Sequence, residues 1–163
     1  VDTLGVVVEE ARLDFGEDGL SVRVVDPSHV AMIKMEVDSA AFETWEIDET
    51  QLGLEMRKLT GILGQGGAGD MVELAYNDES GQATIKIGRI DLNLRPLDNT
   101  TLNPPNVPSL ELPCGVTIAG SELAKALRAT KLVGDFVTLS LTKSAFAINV
   151  KPVLYTQLTH PKN

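Results

Sequence analysis

The sequence predicts an α+β fold, because apolar and polar residues alternate over many short segments while few segments have helical spacing. Alternation with a period of two is typical of strands that bury one face and leave the other in water. The clearest alternation lies at 20–24, 90–94, 137–141 and 146–150. An offset of 126 residues also places the apolar positions of 13–24 on those of 139–150, and this faint repeat favours two similar domains.

Helical spacing of apolar residues occurs in three places. The sequence predicts helices at 1–10, 56–63 and 121–133. The third is the clearest, because Ser121 and Glu122 suit a helix start and the apolar residues that follow recur at helical intervals. Few helices and many strands together favour an α+β architecture over a purely helical or purely β one.

The composition is that of an ordinary globular chain, with 163 residues, 43% apolar and 23% charged. A single cysteine, Cys114, excludes an internal disulfide, and with only His29 and His160 no cysteine and histidine cluster has zinc spacing. We therefore expect no metal and no cofactor. No apolar run approaches the roughly 20 residues of a membrane span, and no signal-peptide pattern is evident, so we expect an intracellular protein without a membrane partner.

A proline-rich segment at 98–113 divides the chain into a first domain at 1–97 and a second at 114–163. Pro104, Pro105 and Pro108 cannot donate backbone hydrogen bonds and favour an extended, stiff path. By composition this segment is a linker. From the residues alone, a spacer without any binding role is as good an interpretation as a binding segment.

The run from Gly19 to Ile33, with Asp26-Pro27-Ser28-His29-Val30 between two strands, is followed closely by Ala41-Phe42-Glu43. This order of residues resembles the sliding clamps of the proliferating cell nuclear antigen family, and the resemblance extends over roughly nine-tenths of the chain. It implies a DNA-clamp fold, with antiparallel sheets and with helices on the inner, DNA-facing side. It also implies a non-catalytic processivity factor that encircles duplex DNA as a homotrimer.

Compared with that family, the sequence begins inside the first helix, and it departs from the family pattern after Val150. The resemblance is therefore to an incomplete clamp, with a partial second domain and a divergent tail. An incomplete or divergent sequence, a fragment and a natural short clamp-like protein are all open explanations.

The resemblance implies a docking pocket for short motifs of partner proteins, built from the turn after the second strand and from the connector. The expected pocket residues are Val25, His29, Val30 and Met32, with Leu102, Val107 and Pro108 from the connector. The expected partners are DNA polymerase, flap nuclease, ligase and the clamp loader. From the residues alone, Val30 and Met32 are more simply interpreted as core residues of a strand, and His29 as a turn residue.

The resemblance also implies a DNA-facing surface that contacts phosphates without reading bases. Lys125, Arg128 and Lys131 recur at spacings of three along one side of the third predicted helix, and Arg57 and Lys58 lie on the second. A solvated helix face is the alternative interpretation of this spacing. Because few cations are available for a basic inner wall and the match to the family is incomplete, a clamp-like adaptor that binds proteins without encircling DNA is the alternative function.

The remaining predictions concern subunit contacts and catalysis. The resemblance implies that the strand edge formed by Arg89, Ile90, Asp91, Leu92, Asn93 and Leu94 contacts a neighbouring subunit. The glycine-rich segment 64–70 follows a predicted helix and lacks the Gly-Lys-Ser/Thr ending of a phosphate-binding loop, so we interpret it as a turn and expect no enzymatic activity. The expected location is cytoplasmic for an archaeal source and nuclear for a eukaryotic one.

Overall fold

The computed structural model describes residues 1–142 and 144–151, which form two compact units, one at 1–108 and one from 109 onward. The division lies inside the segment 98–113 that the sequence assigns to the connector. The part of the tail from residue 152 lies outside the described residues. Antiparallel sheets with few helices make up both units, which confirms the predicted α+β class.

The first unit is built on a four-stranded antiparallel sheet in the order β3-β2-β1-β4. Its strands are β1 (Glu10–Gly16), β2 (Gly19–Val25), β3 (Met32–Asp38) and β4 (Thr50–Glu55). Residues that pair across neighbouring strands share a face of the sheet, and Leu13 pairs with both Val22 and Leu52. These apolar residues are buried and define the core face. The opposite face carries Arg12, Arg23 and the other alternate residues, and we call it the outer face.

Two helices pack with the core of the first unit, α1 (Asp2–Gly5) and α2 (Met56–Leu63). The bounds predicted for α2 are confirmed, and Met56 and Leu59 are its buried residues. The predicted helix at 1–10 was wrong in length, because α1 has only four residues and the chain is a strand from Glu10. Gly5 and the three β-branched valines that follow it are poor helix formers, which accounts for the early end.

A second, three-stranded antiparallel sheet in the order β5-β6-β7 completes the first unit. Its strands are β5 (Val72–Asn77), β6 (Gln82–Ile87) and β7 (Ile90–Leu94). The central strand supplies the buried residues, and the two outer strands are more exposed. The buried apolar core of the described residues consists of Leu4, Ala11, Leu13, Val22, Val24, Leu52, Leu54, Met56, Leu59, Ala83, Ile85 and Ile87.

The second unit contains α3 (Gly120–Thr130) and a hairpin of β8 (Val137–Leu141) and β9 (Phe146–Val150). The helix is the one predicted at 121–133, displaced by one residue at its start and ending three residues earlier. Its apolar side, with Leu123 and Leu127, is half-buried. No apolar side chain of this unit is fully buried among the described residues.

Candidate functional site

The turn between β2 and β3 is built around the carboxylate of Asp26. One oxygen, Oδ1, accepts hydrogen bonds from the backbone N–H groups of Val30 at 2.7 Å and Ala31 at 2.6 Å. The other, Oδ2, accepts one from Ser28 at 3.0 Å. The backbone N–H of Asp26 donates to the carbonyl of Ala31 at 2.9 Å, and that of His29 donates to the carbonyl of Asp26 at 2.8 Å. A single carboxylate therefore fixes three amides of a six-residue turn.

The turn is also marked by an unusual backbone conformation. His29 has φ of 56°, in the left-handed region that non-glycine residues seldom adopt. Hydrogen bonds from the backbone amides stabilise the charged carboxylate and hold the pKa of Asp26 below its ordinary value. The hydrogen bond from Ala31 is the largest cause. Under these constraints the Val30 side chain is 86% exposed, so the turn presents an apolar group to solvent.

Beside this turn lies an apolar pair on the outer face. Val25 pairs with Met32 across β2 and β3, in the same set of alternate residues as Arg23 and Lys34. Val25 is half-buried and Met32 is exposed. The interpretation of Val30 and Met32 as core residues was therefore wrong, because strand alternation directs Met32 away from the core and the turn carries Val30 clear of the sheet.

The beginning of the connector is attached to the same sheet, at β4. The Leu97 N–H donates to the Gly53 carbonyl at 2.8 Å, and Nδ2 of Asn99 donates to the Gln51 carbonyl at 2.7 Å. A Cβ at Gly53 would lie 2.7 Å from Cδ1 of Leu102. Because Gly53 pairs with Arg12, this missing side chain would point to the outer face, and Leu102 therefore covers Gly53 on that face.

The structure thus brings three of the predicted pocket residues onto the outer face, one of them from the connector, and His29 and Val30 lie in the adjoining turn. Val25 and Met32 lie on strands β2 and β3, and Leu102 lies above β4, two strands from β2. Val107 and Pro108 are both exposed farther along the connector. Among the described residues no hydrogen bond ties Val107 to the turn at 26–31.

The predicted cations of the first unit lie in acidic surroundings. Lys58 is exposed and forms an ion pair with Glu55 at 2.9 Å. Arg57 is exposed and lines a shallow groove between α1 and α2. The carboxylates of Asp2, Glu9, Glu10 and Glu55 line the same groove. The groove therefore carries more negative than positive charge.

The predicted cations of the second unit are all exposed. Lys125 and Arg128 lie on α3, and Lys131 is the residue that caps its C-terminus. In the part of the chain that the structure describes, none of the three takes part in an ion pair within 4.0 Å. Their charges are therefore available to a ligand.

The predicted subunit contact, 89–94, includes the whole of β7, an edge strand of the second sheet. One side of β7 pairs with β6, through partners such as Leu92 with Ile85. The other side has no strand partner among the described residues, and Ile90 is exposed. Such an edge offers unpaired backbone groups to another strand.

Two further observations bear on chemistry. The carboxylate of Asp70 accepts a hydrogen bond from the Gly67 N–H at 2.7 Å, so the glycine-rich segment 64–70 is closed by its own side chain, as expected for a turn. Within residues 1–142 and 144–151, no group of three or more His, Cys, Asp or Glu side chains is arranged to hold a metal ion. In the same residues, no helix is both long and apolar enough to cross a membrane.

Sequence reasoning missed two residues of the site. Asp26 is given no role in the sequence prediction, although an aspartate before Pro27 and Ser28 is a signal for a side-chain-stabilised turn. Gly53 gave no signal in the sequence, because its role depends on Leu102, which is 49 residues away.

Together, the antiparallel sheets, the constrained turn and the connector on the outer face define a DNA-clamp fold. The model of the proliferating cell nuclear antigen N-terminal domain matches residues 1–91. The chain belongs to the proliferating cell nuclear antigen family.

Similar proteins agree with this assignment. The DNA polymerase sliding clamp of Methanococcoides burtonii is 33% identical over 90% of this chain and 60% of its own length. That of Haloarcula marismortui is 31% identical over 86% of this chain and 58% of its own length. The A. fulgidus clamp in a solved complex with the C-terminal region of FEN-1 matches with a TM-score of 0.86 and 32% identity, over 92% of this chain and 62% of that one. The chain thus spans about three-fifths of the length of these relatives.

Proposed function

We propose that this chain serves in a sliding clamp, where its outer face docks short motifs of replication and repair enzymes. The observation that carries the proposal is the apolar surface formed by the exposed Val30 and Met32 and the half-buried Val25, beside the face on which the connector begins. We call these three residues together with His29, Leu102, Val107 and Pro108 the docking surface.

The chemistry of the docking surface suits an apolar peptide anchor. Burial of apolar area contributes roughly 25 cal/mol per Å², and aromatic side chains provide most hot spots. The Asp26 carboxylate holds the turn in one conformation before binding, which reduces the ordering cost of association. Met32 adds an adaptable side chain suited to several partners. The A. fulgidus clamp complex with the C-terminal region of FEN-1 supports docking of a flap nuclease, and we extend this to polymerase, ligase and clamp loader.

The test is binding of a fluorescent peptide with the pattern Gln-x-x-Leu-x-x-Phe-Phe to this chain and to Val30→Asp and Val107→Asp. We expect saturable binding in the micromolar range, about −8 kcal/mol, and loss of binding in both variants. Val6→Asp is a matched control, because Val6 is 87% exposed but lies beside α1. A folded chain that does not bind, or a Val6→Asp variant that loses binding equally, would contradict the docking proposal.

We further propose that the assembled clamp encircles duplex DNA as a homotrimer, with β7 in the subunit contact and with Lys125, Arg128, Lys131, Arg57 and Lys58 facing the DNA. The exposed, unpaired cations on α3 support this proposal. Cations that contact phosphates release counterions, so affinity falls as salt rises. Charge reversal of Lys125 and Arg128 should weaken retention on closed circular DNA at low salt. Unchanged retention would exclude them from the DNA surface.

A second candidate function is a clamp-like adaptor that docks proteins without encircling DNA. The acidic groove around Arg57, with Asp2, Glu9 and Glu55, favours it, because such a surface repels phosphates. Peptide binding without any retention on circular DNA would select the adaptor. In either case the family is one of non-catalytic processivity factors, and we assign the chemistry to the docked enzymes. We place the protein in the cytoplasm if its source is archaeal and in the nucleus if eukaryotic.

A further inference from the structure

A row of three cations crosses the middle of the outer face. Arg23 pairs with Lys34 on β3, and the register of β1 with β2, in which Leu13 pairs with Val22, places Arg12 on the other side of Arg23. We call Lys34, Arg23 and Arg12 the basic row. Glu36 and Asp14 belong to the next row of the same face, two residues farther along their strands.

The two outer members of the basic row already have partners. Arg12 donates through Nε to Oδ1 of Asp14 at 2.8 Å and through Nη2 to Oδ2 at 3.4 Å. Lys34 forms an ion pair with Glu36 at 2.7 Å. Both partners lie two residues away on the same strand as their cation, so these charges are neutralised locally.

Arg23 differs from both neighbours. Among the described residues its guanidinium takes part in no side-chain hydrogen bond and no ion pair within 4.0 Å, although the residue is half-buried. The corresponding position two residues along its strand is Ser21, which has no charge to offer. A guanidinium has five donors in a planar fork that matches a carboxylate, and Arg23 keeps all of them for an incoming group.

Its position connects the two parts of the docking surface. Arg23 is two residues from Val25 on β2, about 6.6 Å along the strand. Leu102 lies above Gly53 on β4, in the same row as Arg23 and two strands away, about 10 Å at the usual spacing of strands. A peptide that contacts Val25 and Met32 at one end and the connector at the other must pass close to this guanidinium.

We propose that Arg23 determines partner specificity by binding an acidic side chain of the docked segment. The inference rests on the proposed docking function and adds to it a preference for docked segments that carry an acidic side chain. The carboxylate would form the two parallel N–H···O bonds that Arg12 already forms with Asp14 on the same face. A glutamine in the same place offers one acceptor and no charge, so it gains less.

The test uses C-terminally amidated peptides, so that glutamate side chains are their only carboxylates. Each carries the docking pattern with a single glutamate, or a glutamine, at one of its variable or flanking positions. For the unmodified chain we expect one glutamate position to bind on the order of fivefold more tightly than its glutamine counterpart, the scale of a well-placed exposed ion pair. The preference should shrink as salt is raised from low to physiological concentration.

Three variants identify the residue responsible. Arg23→Gln should bind the glutamine peptides normally and lose the preference for glutamate. Arg23→Lys should retain part of it, because it keeps the charge without the fork. Lys34→Gln is the matched control and should retain all of it, because Lys34 is already paired with Glu36. Circular dichroism of each variant checks folding.

The outcomes separate the two proposals. If the glutamine peptides bind the unmodified chain but no glutamate position is preferred, or if Arg23→Gln keeps the preference, the assignment of Arg23 is overturned and docking stands. If no peptide binds the folded chain, both the docking proposal and the assignment of Arg23 are overturned.

Discussion

The two hairpins related by the 126-residue offset have the same register but different surroundings. Leu13 pairs with Val22 in the first, and Leu139 pairs with Ile148 in the second, which are equivalent positions. In the first unit β3 and β4 flank the hairpin, and Leu13 is 6% exposed. In the second unit β8 and β9 form a two-stranded sheet, and Leu139 is 60% exposed. The pairing of a hairpin is thus local, whereas its burial depends on distant segments.

The largest expected effect comes from the same truncation at both equivalent positions. Leu13→Ala should lower the free energy of unfolding by about 2–5 kcal/mol, because it leaves a cavity in the buried core. Leu139→Ala should change it by less than about 0.5 kcal/mol, as for an exposed side chain. Denaturant unfolding measures both changes. Trp45 fluorescence follows the first unit, since the Trp45 ring lies 6.1 Å from that of Phe15, and circular dichroism follows the whole chain. Equal losses would mean that Leu139 is covered in solution.

A smaller effect tests whether the start of the connector belongs to the first unit. A Cβ at Gly53 would lie 2.7 Å from Leu102 and 3.0 Å from the Leu97 carbonyl oxygen. Gly53→Ala should therefore destabilise by about 1–3 kcal/mol through crowding and should also weaken peptide binding at the connector.

The matched control for this substitution is Gly61→Ala in α2, where nothing lies within 4 Å of the added methyl group. It should stabilise the protein by about 0.5–1 kcal/mol, the difference in helix propensity. Thermal unfolding measures both. If Gly53→Ala is as stable as the unmodified chain, the connector is not held against the sheet in solution.

Local pattern accounts for what the sequence predicted well. The strands at 20–24, 90–94, 137–141 and 146–150 alternate strictly, and each is a strand in the structure. Helix α2 was predicted to the residue because its apolar face is well defined. The N-terminal helix was overextended because the valines after Gly5 match helical spacing but are poor helix formers.

Contacts between distant residues account for what the sequence did not reveal. The pocket residues near His29 came from the family resemblance, and the exposure of Val30 could not be deduced from alternation because Val30 lies in a turn. The attachment of the connector depends on Gly53 and Leu102, and the lone charge of Arg23 depends on which neighbours already have partners. The first depends on a contact between residues 49 positions apart, and the second on the strand register that places Arg12 and Lys34 on either side of Arg23; neither can be deduced from local sequence.

The smallest expected effect is a difference between the turns of the two units in acid. The Asp26 carboxylate accepts hydrogen bonds from the backbone amides of Val30 and Ala31 in the first unit. In the second unit, the neutral Thr142 hydroxyl accepts a hydrogen bond from the Ala145 amide at 3.1 Å. Hydrogen bonds from the backbone amides lower the pKa of Asp26 in the folded protein below its unfolded value, which is about 3.9. The charged carboxylate therefore stabilises the turn fully above the unfolded pKa. This stabilisation is lost as the pH falls through the lower, folded value.

This difference is tested by measuring amide chemical shifts from pH 6 down to the most acidic pH at which the protein remains folded. The Val30 and Ala31 amides should shift together with a midpoint below about 3.9, and the Ala145 amide should not follow them, since a hydroxyl does not titrate there. Asp26→Asn is the control, because it keeps one acceptor oxygen without a titrating group and should abolish the transition. A Val30 midpoint at or above the ordinary aspartate value would mean that the carboxylate does not hold the turn in solution. The conformation of the docking turn would then depend on the packing of its loop and not on a charged side chain, and in this respect the turn of the first unit would not differ from that of the second hairpin.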